Sequence, residues 1–318
     1  MTLADFFKTY PDEASCIESI KQKRLEHGVI CRKCGNSSHR FRNCDLKFEC
    51  RTCLSRQSIR SGTVMEHSNL PFWYWLFCIQ MMTLTKKSFS ALEMQRMIGH
   101  KRYEPIWYMM HKIRRVMSKR DDEYELSNYI EIDEGFFERV DDKEVKEAKL
   151  SELTTQKEQL KRGRGSQKQA KVLVMVESKE VESQDNPHRP NRKVGYLKMK
   201  VIEDLKGETI TQKVKDNVNE NTIIRSDGFS SYSKLKEVVT GHEVKIEPNK
   251  TKAAKLFPWA NRTISNAKKV LLGIHHNAIN DKYIQNYLDE FCYKFNRRYF
   301  NENLFDRLLN VAISTTWY

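Results

Sequence analysis

Four cysteines near the start of the chain constrain its fold more than any other feature. They form two Cys-x2-Cys pairs separated by fifteen residues: Cys31 with Cys34, and Cys50 with Cys53. Each pair places two thiols on one tight turn, which is the ligand spacing of a four-cysteine zinc ribbon. So small a module cannot bury enough apolar surface to be stable alone, and a tetrahedral Zn2+ supplies the missing stability. The spacing therefore predicts a structural zinc site.

Two further potential ligands, His39 and Cys44, lie between the pairs, but neither belongs to a paired turn. We interpret Cys44 as a structural or free thiol. Residues 31–60 carry eight Lys or Arg and only two acids. The surface of the ribbon therefore either contacts phosphate groups or is a solvated basic face, and both interpretations stay open at this point.

The charge balance of the whole chain points to a polyanionic partner. Its 318 residues include 56 Lys or Arg against 42 Asp or Glu, a formal net charge of +14. Such an excess is typical of nucleic-acid binding, although a merely soluble basic protein is the alternative. No apolar run reaches membrane-spanning length and no signal peptide is visible, so we expect an intracellular protein with no membrane partner. In that setting the eight cysteines indicate metal binding and buried thiols.

A helical region is predicted over residues 68–124. Ser90 and Glu93 have the spacing of a capping box, which starts a helix. The next predicted helix carries several basic residues, including Arg114 and Arg115. A helix, a short turn and a basic helix are the outline of a helix-turn-helix DNA reader, but many proteins that bind no DNA share this outline.

Two aspartates end strand-like segments in the second half of the chain. Asp133 closes the alternating segment "NYIEID", and Asp227 follows the short apolar segment "TIIRS". With the later strand and helix patterns, these segments predict a mixed α/β domain. Two carboxylates at strand ends suggest a bound divalent cation, because hard cations prefer oxygen ligands. Alternatively, Asp227 only starts a turn with Gly228, and Asp133 is a solvent-facing strand residue.

A charged segment, residues 141–169, separates the first two strands of this domain. It contains few apolar residues and ends in a basic, glycine-containing run with Arg162 and Arg164. We interpret this run either as a loop that contacts a phosphate backbone or as a solvated loop without a partner.

The order of the motifs carries a family resemblance. After the ribbon and the helical region come "IEIDEGFFERV", "KRGRGSQKQAKVLVMVE", "RSDGFSSY", "FPWANRTISNAKKVLLGIHH" and "YLDEFCYKFNRR". This order, from about residue 12 to residue 300, resembles the bacterial insertion-sequence transposases of the ISXO-like type. The resemblance implies a zinc ribbon before an RNase H-like catalytic domain. It also implies a cytoplasmic, nucleoid-associated homo-oligomer that binds double-stranded DNA at element ends and target, and that cleaves and joins strands.

The resemblance further implies two Mg2+ or Mn2+ ions and a set of three ligands. By motif, Asp133 matches the first ligand and Asp227 the second, and Asn266 falls at the third position. Asp133 would bridge both ions and Asp227 would hold one of them. Lys268 would contact a phosphate near the scissile bond. Glu290 is the competing third ligand, since a carboxylate binds Mg2+ more strongly than an amide.

The predicted division of the chain has three parts: a zinc ribbon with an N-terminal extension (1–67), a helical DNA-binding region (68–124) and an RNase H-like catalytic domain (125–318). Where the family often has histidine, this chain has Asn261, which leaves any role of that histidine unassigned here. Two other functions remain open. One is a catalytically inactive zinc-ribbon DNA-binding regulator, and the other is a nuclease that cuts DNA without joining it.

Overall fold

A computed structural model describes residues 1–140, 163–166, 168–180, 192–248, 256–276, 279–300 and 303–318. The chain divides into two compact units: Met1–Arg120 together with Arg297–Tyr318, and Asp121–Asn296. The ribbon and the helical region therefore share one unit. The last residues of the predicted 125–318 domain belong to that unit as well, because their helix packs among its helices.

The structure gives the bounds of the regular elements. The helices are α1 (Leu3–Thr9), α2 (Glu13–His27), α3 (Phe72–Leu84), α4 (Ala91–Ile98), α5 (Tyr103–Asp122), α6 (Gly207–Lys215), α7 (Pro258–His275), α8 (Asp281–Asn296) and α9 (Leu304–Ser314). The strands are β1 (His39–Arg42), β2 (Lys47–Cys50), β3 (Arg56–Ser58), β4 (Tyr129–Glu138), β5 (Gln169–Glu180), β6 (Arg192–Ile202), β7 (Ile223–Ser226) and β8 (Gly241–Val244). Short 3-10 segments cover Gly163–Gly165 and Ser230–Glu237.

The core of the first unit forms around α3, which is apolar on nearly all sides. Trp75 and Ile79 are fully buried in it, and α1, α2 and α9 pack against this helix. The C-terminal helix is tied in by a backbone hydrogen bond from the Val64 N–H to the Ala312 carbonyl, 2.8 Å long. Within the described parts of the chain, no helix combines the length and the apolar character that crossing a membrane requires.

The predicted capping box is confirmed at the start of α4. The Ser90 hydroxyl accepts the Glu93 N–H at 3.1 Å, and the Glu93 carboxylate accepts the Ser90 N–H at 2.7 Å. The helix ends at Gly99, whose φ of 73° lies in the left-handed region that glycine adopts without strain. Local sequence signals therefore determine both ends of this helix.

The second unit is built on a five-stranded mixed sheet with the order β6-β5-β4-β7-β8. The pairs β6–β5 and β5–β4 are antiparallel, whereas β4–β7 and β7–β8 are parallel. This confirms the predicted mixed α/β class. The strands β4, β7 and β8 run in the same direction, and β4 continues to Glu138, beyond its last pair with β7, which joins Glu131 and Arg225.

Helices cover both faces of this sheet. On one face α7 and α8 pack on Val172, Val174 and Val176 of β5. On the other face α6 and the segment Ser230–Glu237 pack on side chains that include Ile130 and Ile132 of β4. The alternation of the strands thus assigns neighbouring residues of β4 to opposite layers.

Candidate functional site

The four predicted cysteines lie together. The Cys31 and Cys53 sulfur atoms are 3.6 Å apart, and so are those of Cys34 and Cys50. All four sulfur atoms lie within 4.8 Å of one another. A tetrahedral Zn2+ with Zn–S bonds of about 2.3 Å requires sulfur separations of about 3.8 Å. The four side chains therefore fit a metal ion such as zinc.

The two cysteine turns have the same local geometry. In the first turn the Gly35 N–H donates to the Cys31 carbonyl at 2.9 Å, and in the second the Leu54 N–H donates to the Cys50 carbonyl at 3.0 Å. In each pair, the N–H of the second cysteine points at the sulfur of the first and lowers its pKa, to about 6 for Cys50. Since the thiolate is the form that binds metal, this geometry favours coordination.

The two spare candidates lie outside this cluster. The His39 Nδ1 atom lies 3.1 Å from the Ser37 carbonyl, and Cys44 is exposed beside Asp45. Neither belongs to the group of four sulfur atoms that can share one ion.

The basic surface of the ribbon is partly neutralised by acids. Glu49 is buried, and its carboxylate forms ion pairs with Arg40, Arg42 and Arg56. Glu66 likewise holds Arg32 through two hydrogen bonds of 2.6 and 2.7 Å. Exposed cations such as Lys33 and Arg51 remain for an anionic partner, so a phosphate contact by the ribbon stays a prediction.

The basic helix α5 differs from its sequence-based interpretation. Arg114 is only 1% exposed, which argues against the predicted DNA contact by this residue. Arg115 is half-buried, and its guanidinium lies 5.5 Å from the centre of the Trp317 ring. Lys112 donates to the Glu66 carbonyl at 2.9 Å. This side of α5 packs within its own unit, because the C-terminal residues return to cover it.

Asp227 directly follows β7, as predicted, whereas Asp133 lies in the middle of β4 and not at its end, because this strand continues along β5 to Glu138. The register of β4 and β7 pairs Glu131 with Arg225. This is the last pair between the two strands, so Asp133 lies two residues beyond it on β4, and Asp227 lies two residues beyond it, just after the end of β7. Asp133 is partly exposed, and Asp227 is close enough for its charge to raise the pKa of the Asp133 carboxyl. The two carboxylates therefore lie close together, just beyond the point where β4 and β7 stop pairing.

The surroundings of Asp133 disfavour its ionised form. Burial raises the pKa of Asp133 to about 7, and repulsion from Glu134 and Asp227 adds to the effect. The Glu134 N–H, which donates to the Asp133 carboxylate at 2.8 Å, acts in the opposite direction. Crowded carboxylates of this kind fit a divalent cation, because the cation offsets both the burial and the repulsion.

Arg164 lies between two acids of this cluster. Its Nη2 atom donates to the Glu134 and Asp227 carboxylates, at 3.0 Å in each case. Its guanidinium also lies 4.0 Å from the centre of the Phe229 ring. The predicted phosphate-binding residue therefore contacts the acid cluster in this structure. Its predicted companion, Arg162, lies outside the described residues.

Glu131, a residue that the sequence analysis missed, joins the strand of Asp133 to α7. It is 0% exposed, and its Oε2 atom accepts the N–H groups of Trp259 and Ala260 at 2.8 and 3.0 Å. A carboxylate at the first turn of a helix satisfies unpaired N–H groups and interacts favourably with the helix dipole. The available signal was the alternation of β4, which places Glu131 and Asp133 on the same face of the sheet.

The two candidates for the third ligand differ in their environments. Asn266 is exposed on α7, the helix that Glu131 joins to β4. Lys268 is exposed on the same helix, with its Nζ atom 5.7 Å from the centre of the Phe137 ring. Glu290 is 0% exposed in α8 and forms an ion pair of 3.2 Å with Lys294. The choice between Asn266 and Glu290 stays a prediction.

Fold and site together define a protein with four clustered cysteines that can hold one metal ion and a mixed α/β domain with an acidic cluster on β4 and just after β7. Residues 125–296, more than half of the chain, match the ISXO2-like transposase domain. The chain therefore belongs to this transposase family, and the resemblance stated from the motifs is confirmed. Membership in the family makes DNA the expected partner. No curated protein gives a significant match to the chain.

Proposed function

We propose that the protein is a DNA transposase that binds the ends of an insertion sequence and catalyses metal-dependent strand cleavage and strand transfer. The observation that carries this proposal is the proximity of the Asp133 carboxyl, on β4, and the Asp227 carboxyl, just after the adjacent parallel strand β7. The order of the five-stranded sheet supports an RNase H-like catalytic domain. Family membership supports the same activity.

In this proposal Asp133 and Asp227 hold the catalytic Mg2+ or Mn2+, with Asn266 as the third ligand. When bound, such ions activate an attacking water or 3′-hydroxyl group and stabilise the leaving oxygen. The protein orients the ligands before the metal arrives. The Asp133 carboxylate accepts the Glu134 N–H, and the Asp227 carboxylate accepts the Phe229 N–H at 3.0 Å. Lys268 adds a positive charge for the phosphate backbone.

In the same proposal the four cysteines hold a structural Zn2+, and the first unit recognises the element ends. The protein acts as a homo-oligomer on DNA, because the two ends of an element have to be joined within one complex. The direct test is to incubate purified protein with Mg2+ and DNA that carries the ends of its own element, and to score nicked and joined products. Binding without cleavage would indicate the regulator, and cleavage without joining would indicate the nuclease.

We expect DNA binding to depend strongly on salt, because the chain carries a formal net charge of +14. With about six phosphate contacts, affinity should fall roughly a thousandfold between about 50 and 200 mM salt. Fluorescence anisotropy of labelled end DNA over a salt series measures this slope. A flat salt dependence would contradict electrostatic binding.

The same measurement separates the two interpretations of the ribbon surface. If the ribbon contacts phosphates, replacing Lys33 and Arg51 with alanine should reduce the salt slope by about two contacts. Lys8→Ala, which removes another exposed cation of the first unit, is the matched control. An unchanged slope in the double variant would leave the ribbon a purely structural role.

For the third ligand, we expect Asn266→Ala to lose cleavage and Asn266→Asp to retain it, because a carboxylate can replace the amide oxygen at a Mg2+ site. Glu290→Gln should keep substantial cleavage. Since this substitution breaks the buried pair with Lys294, its thermal stability has to be measured beside its activity. Full cleavage by Asn266→Ala, with none by a folded Glu290→Gln, would reverse the assignment.

A further inference from the structure

Arg164 has a position that the proposed chemistry does not explain. It is a cation that lies against a candidate metal ligand, Asp227, at the point where a divalent cation is expected. We propose that Arg164 is the counter-cation of the acid site when no metal is bound. An incoming divalent cation displaces the Arg164 guanidinium from Asp227, while the ion pair of Arg164 with Glu134 remains. This inference rests on the proposed function, because it takes Asp133 and Asp227 as the metal ligands.

The two contacts of Arg164 are unequal, which decides where the displacement occurs. The Glu134 side chain is 2% exposed, whereas the Asp227 side chain is 41% exposed, although both contacts are 3.0 Å long. A solvent-exposed ion pair contributes little free energy, whereas breaking a buried pair is costly. The contact with Asp227 is therefore the one that exchanges, and the contact with Glu134 is the anchor.

The charges of the cluster balance only when both cations are present. Asp133, Glu134 and Asp227 contribute three negative charges when ionised, and Arg164 contributes one positive charge. A divalent cation at Asp133 and Asp227 neutralises those two carboxylates and leaves Arg164 paired with Glu134. After the exchange every charge of the cluster has a partner.

The structure also contains an acceptor that can receive the displaced guanidinium. The Glu134 Oε1 atom is buried and makes no hydrogen bond of normal geometry among the described residues, and the buried Tyr232 hydroxyl lies near the same carboxylate. At present Arg164 reaches only Oε2, and it does so through the same nitrogen that contacts Asp227. Release from Asp227 lets the guanidinium take both oxygens of Glu134 in a forked pair, which is the preferred geometry of arginine with a carboxylate.

Phe229 keeps the guanidinium in place during this exchange. Its ring lies 4.0 Å from the guanidinium, and its N–H donates to Asp227 at 3.0 Å. The same residue thus guides the counter-cation and orients the metal ligand. Lysine lacks both the planar group that stacks on the ring and the forked donor pair, so it cannot make the same exchange.

The test is Mn2+ binding by the full chain without DNA, with zinc present in the cysteine site. Titration calorimetry, or the electron paramagnetic resonance signal of free Mn2+, gives the dissociation constant. Asp133→Asn and Asp227→Asn first identify the binding that belongs to the acid site. We expect Arg164→Gln to bind Mn2+ about tenfold more tightly than the wild type, which corresponds to about 1.4 kcal/mol.

Two further variants separate displacement from a general effect of charge. Arg225 lies on β7, stacks on Tyr129 at 5.0 Å and pairs with Glu243 at 3.2 Å. Arg225→Gln therefore removes a comparable arginine whose ion pair is with an acid outside the site. It should change the affinity less than about twofold, because the Arg225 charge is already offset by its pairing with Glu243. The double variant Glu134→Gln, Arg164→Gln keeps the net charge and leaves no buried carboxylate unpaired, yet it should retain the tighter binding.

The outcomes are distinct. Tighter Mn2+ binding in Arg164→Gln and in the double variant, but not in Arg225→Gln, supports the displacement. Unchanged affinity in both Arg164 variants, while Asp227→Asn abolishes binding, overturns the inference and leaves the proposed function standing. If neither aspartate variant affects Mn2+ binding, the proposed ligand set fails, and the inference fails with it.

Discussion

Replacing Asp133 with asparagine should reduce DNA cleavage roughly a thousandfold, and it should also raise the thermal stability of the protein without added Mg2+. The loss of cleavage follows because catalytic metal ions supply several kcal/mol of transition-state stabilisation, and about 1.4 kcal/mol corresponds to a factor of ten. Cleavage of element-end DNA in single-turnover assays measures it. Near wild-type cleavage by this variant would exclude Asp133 as a metal ligand.

The gain in stability has a defined pH dependence. The fold raises the pKa of Asp133 to about 7, mainly through burial, whereas an unfolded aspartate has a pKa of about 3.9. Between these values the folded chain binds more protons than the unfolded chain, so this group lowers the free energy of unfolding as the pH rises. Asparagine removes that effect, and the difference between variant and wild type should grow from pH 5 to pH 8.

Melting temperatures at the two pH values, measured without added Mg2+, test this expectation. The matched control is Glu208→Gln, which neutralises an acid of the same unit whose side chain is 85% exposed. It should show no such pH-dependent gain. An Asp133→Asn protein that melts below the wild type at pH 8 would contradict the unfavourable burial of the Asp133 charge.

The second large effect is expected at the cysteine cluster. Replacing Cys31 and Cys34 with serine should abolish zinc binding and unfold the ribbon, because the loss removes two of the four sulfur ligands. Structural zinc contributes about 10–16 kcal/mol in small zinc modules, and whole domains are stable by only about 5–15 kcal/mol. The effect should therefore spread from the ribbon to the unit that contains it.

Metal analysis of the purified protein should find about one Zn2+ per chain in the wild type. Limited proteolysis should then show new cleavage between residues 28 and 60 of the double variant. Cys44→Ser removes an exposed cysteine outside the cluster and should keep both the zinc and the fold. Wild-type protein without zinc, or a double variant that retains it, would contradict the assignment.

Features that depend on local pattern could be predicted from the sequence. The spacing of the cysteines led to the cluster, the pair Ser90 and Glu93 led to the start of α4, and the strand-like segments before Asp133 and Asp227 led to two neighbouring strands. In each case the residues that predict the feature lie in one short stretch of the sequence.

Features that depend on distant residues could not be predicted. Arg114 is buried, and its neighbours Lys112 and Arg115 lie against the Trp317 ring, about 200 positions later in the chain. A basic helix looks the same in the sequence with or without such cover. The role of Glu131 depends on its meeting the first turn of α7, 128 residues away. The contacts of Arg164 likewise join Glu134 on β4 to Asp227 after β7, and only the folded sheet brings these two residues together.

The order of the two units along the chain has a consequence for synthesis on the ribosome. The second unit is complete once Asn296 has emerged, and its two ends meet there, because the Asn296 amide donates to Asp121 at 3.1 Å. The first unit cannot complete its packing at that point, because the Val64 N–H donates to the carbonyl of Ala312, 248 residues later in the chain. At about 5–20 residues per second this delay is roughly 12–50 s. For that interval α3 lacks the packing of α9. In its last stage, after Asn296 has emerged, the second unit already has all of its residues while α3 is still incompletely covered.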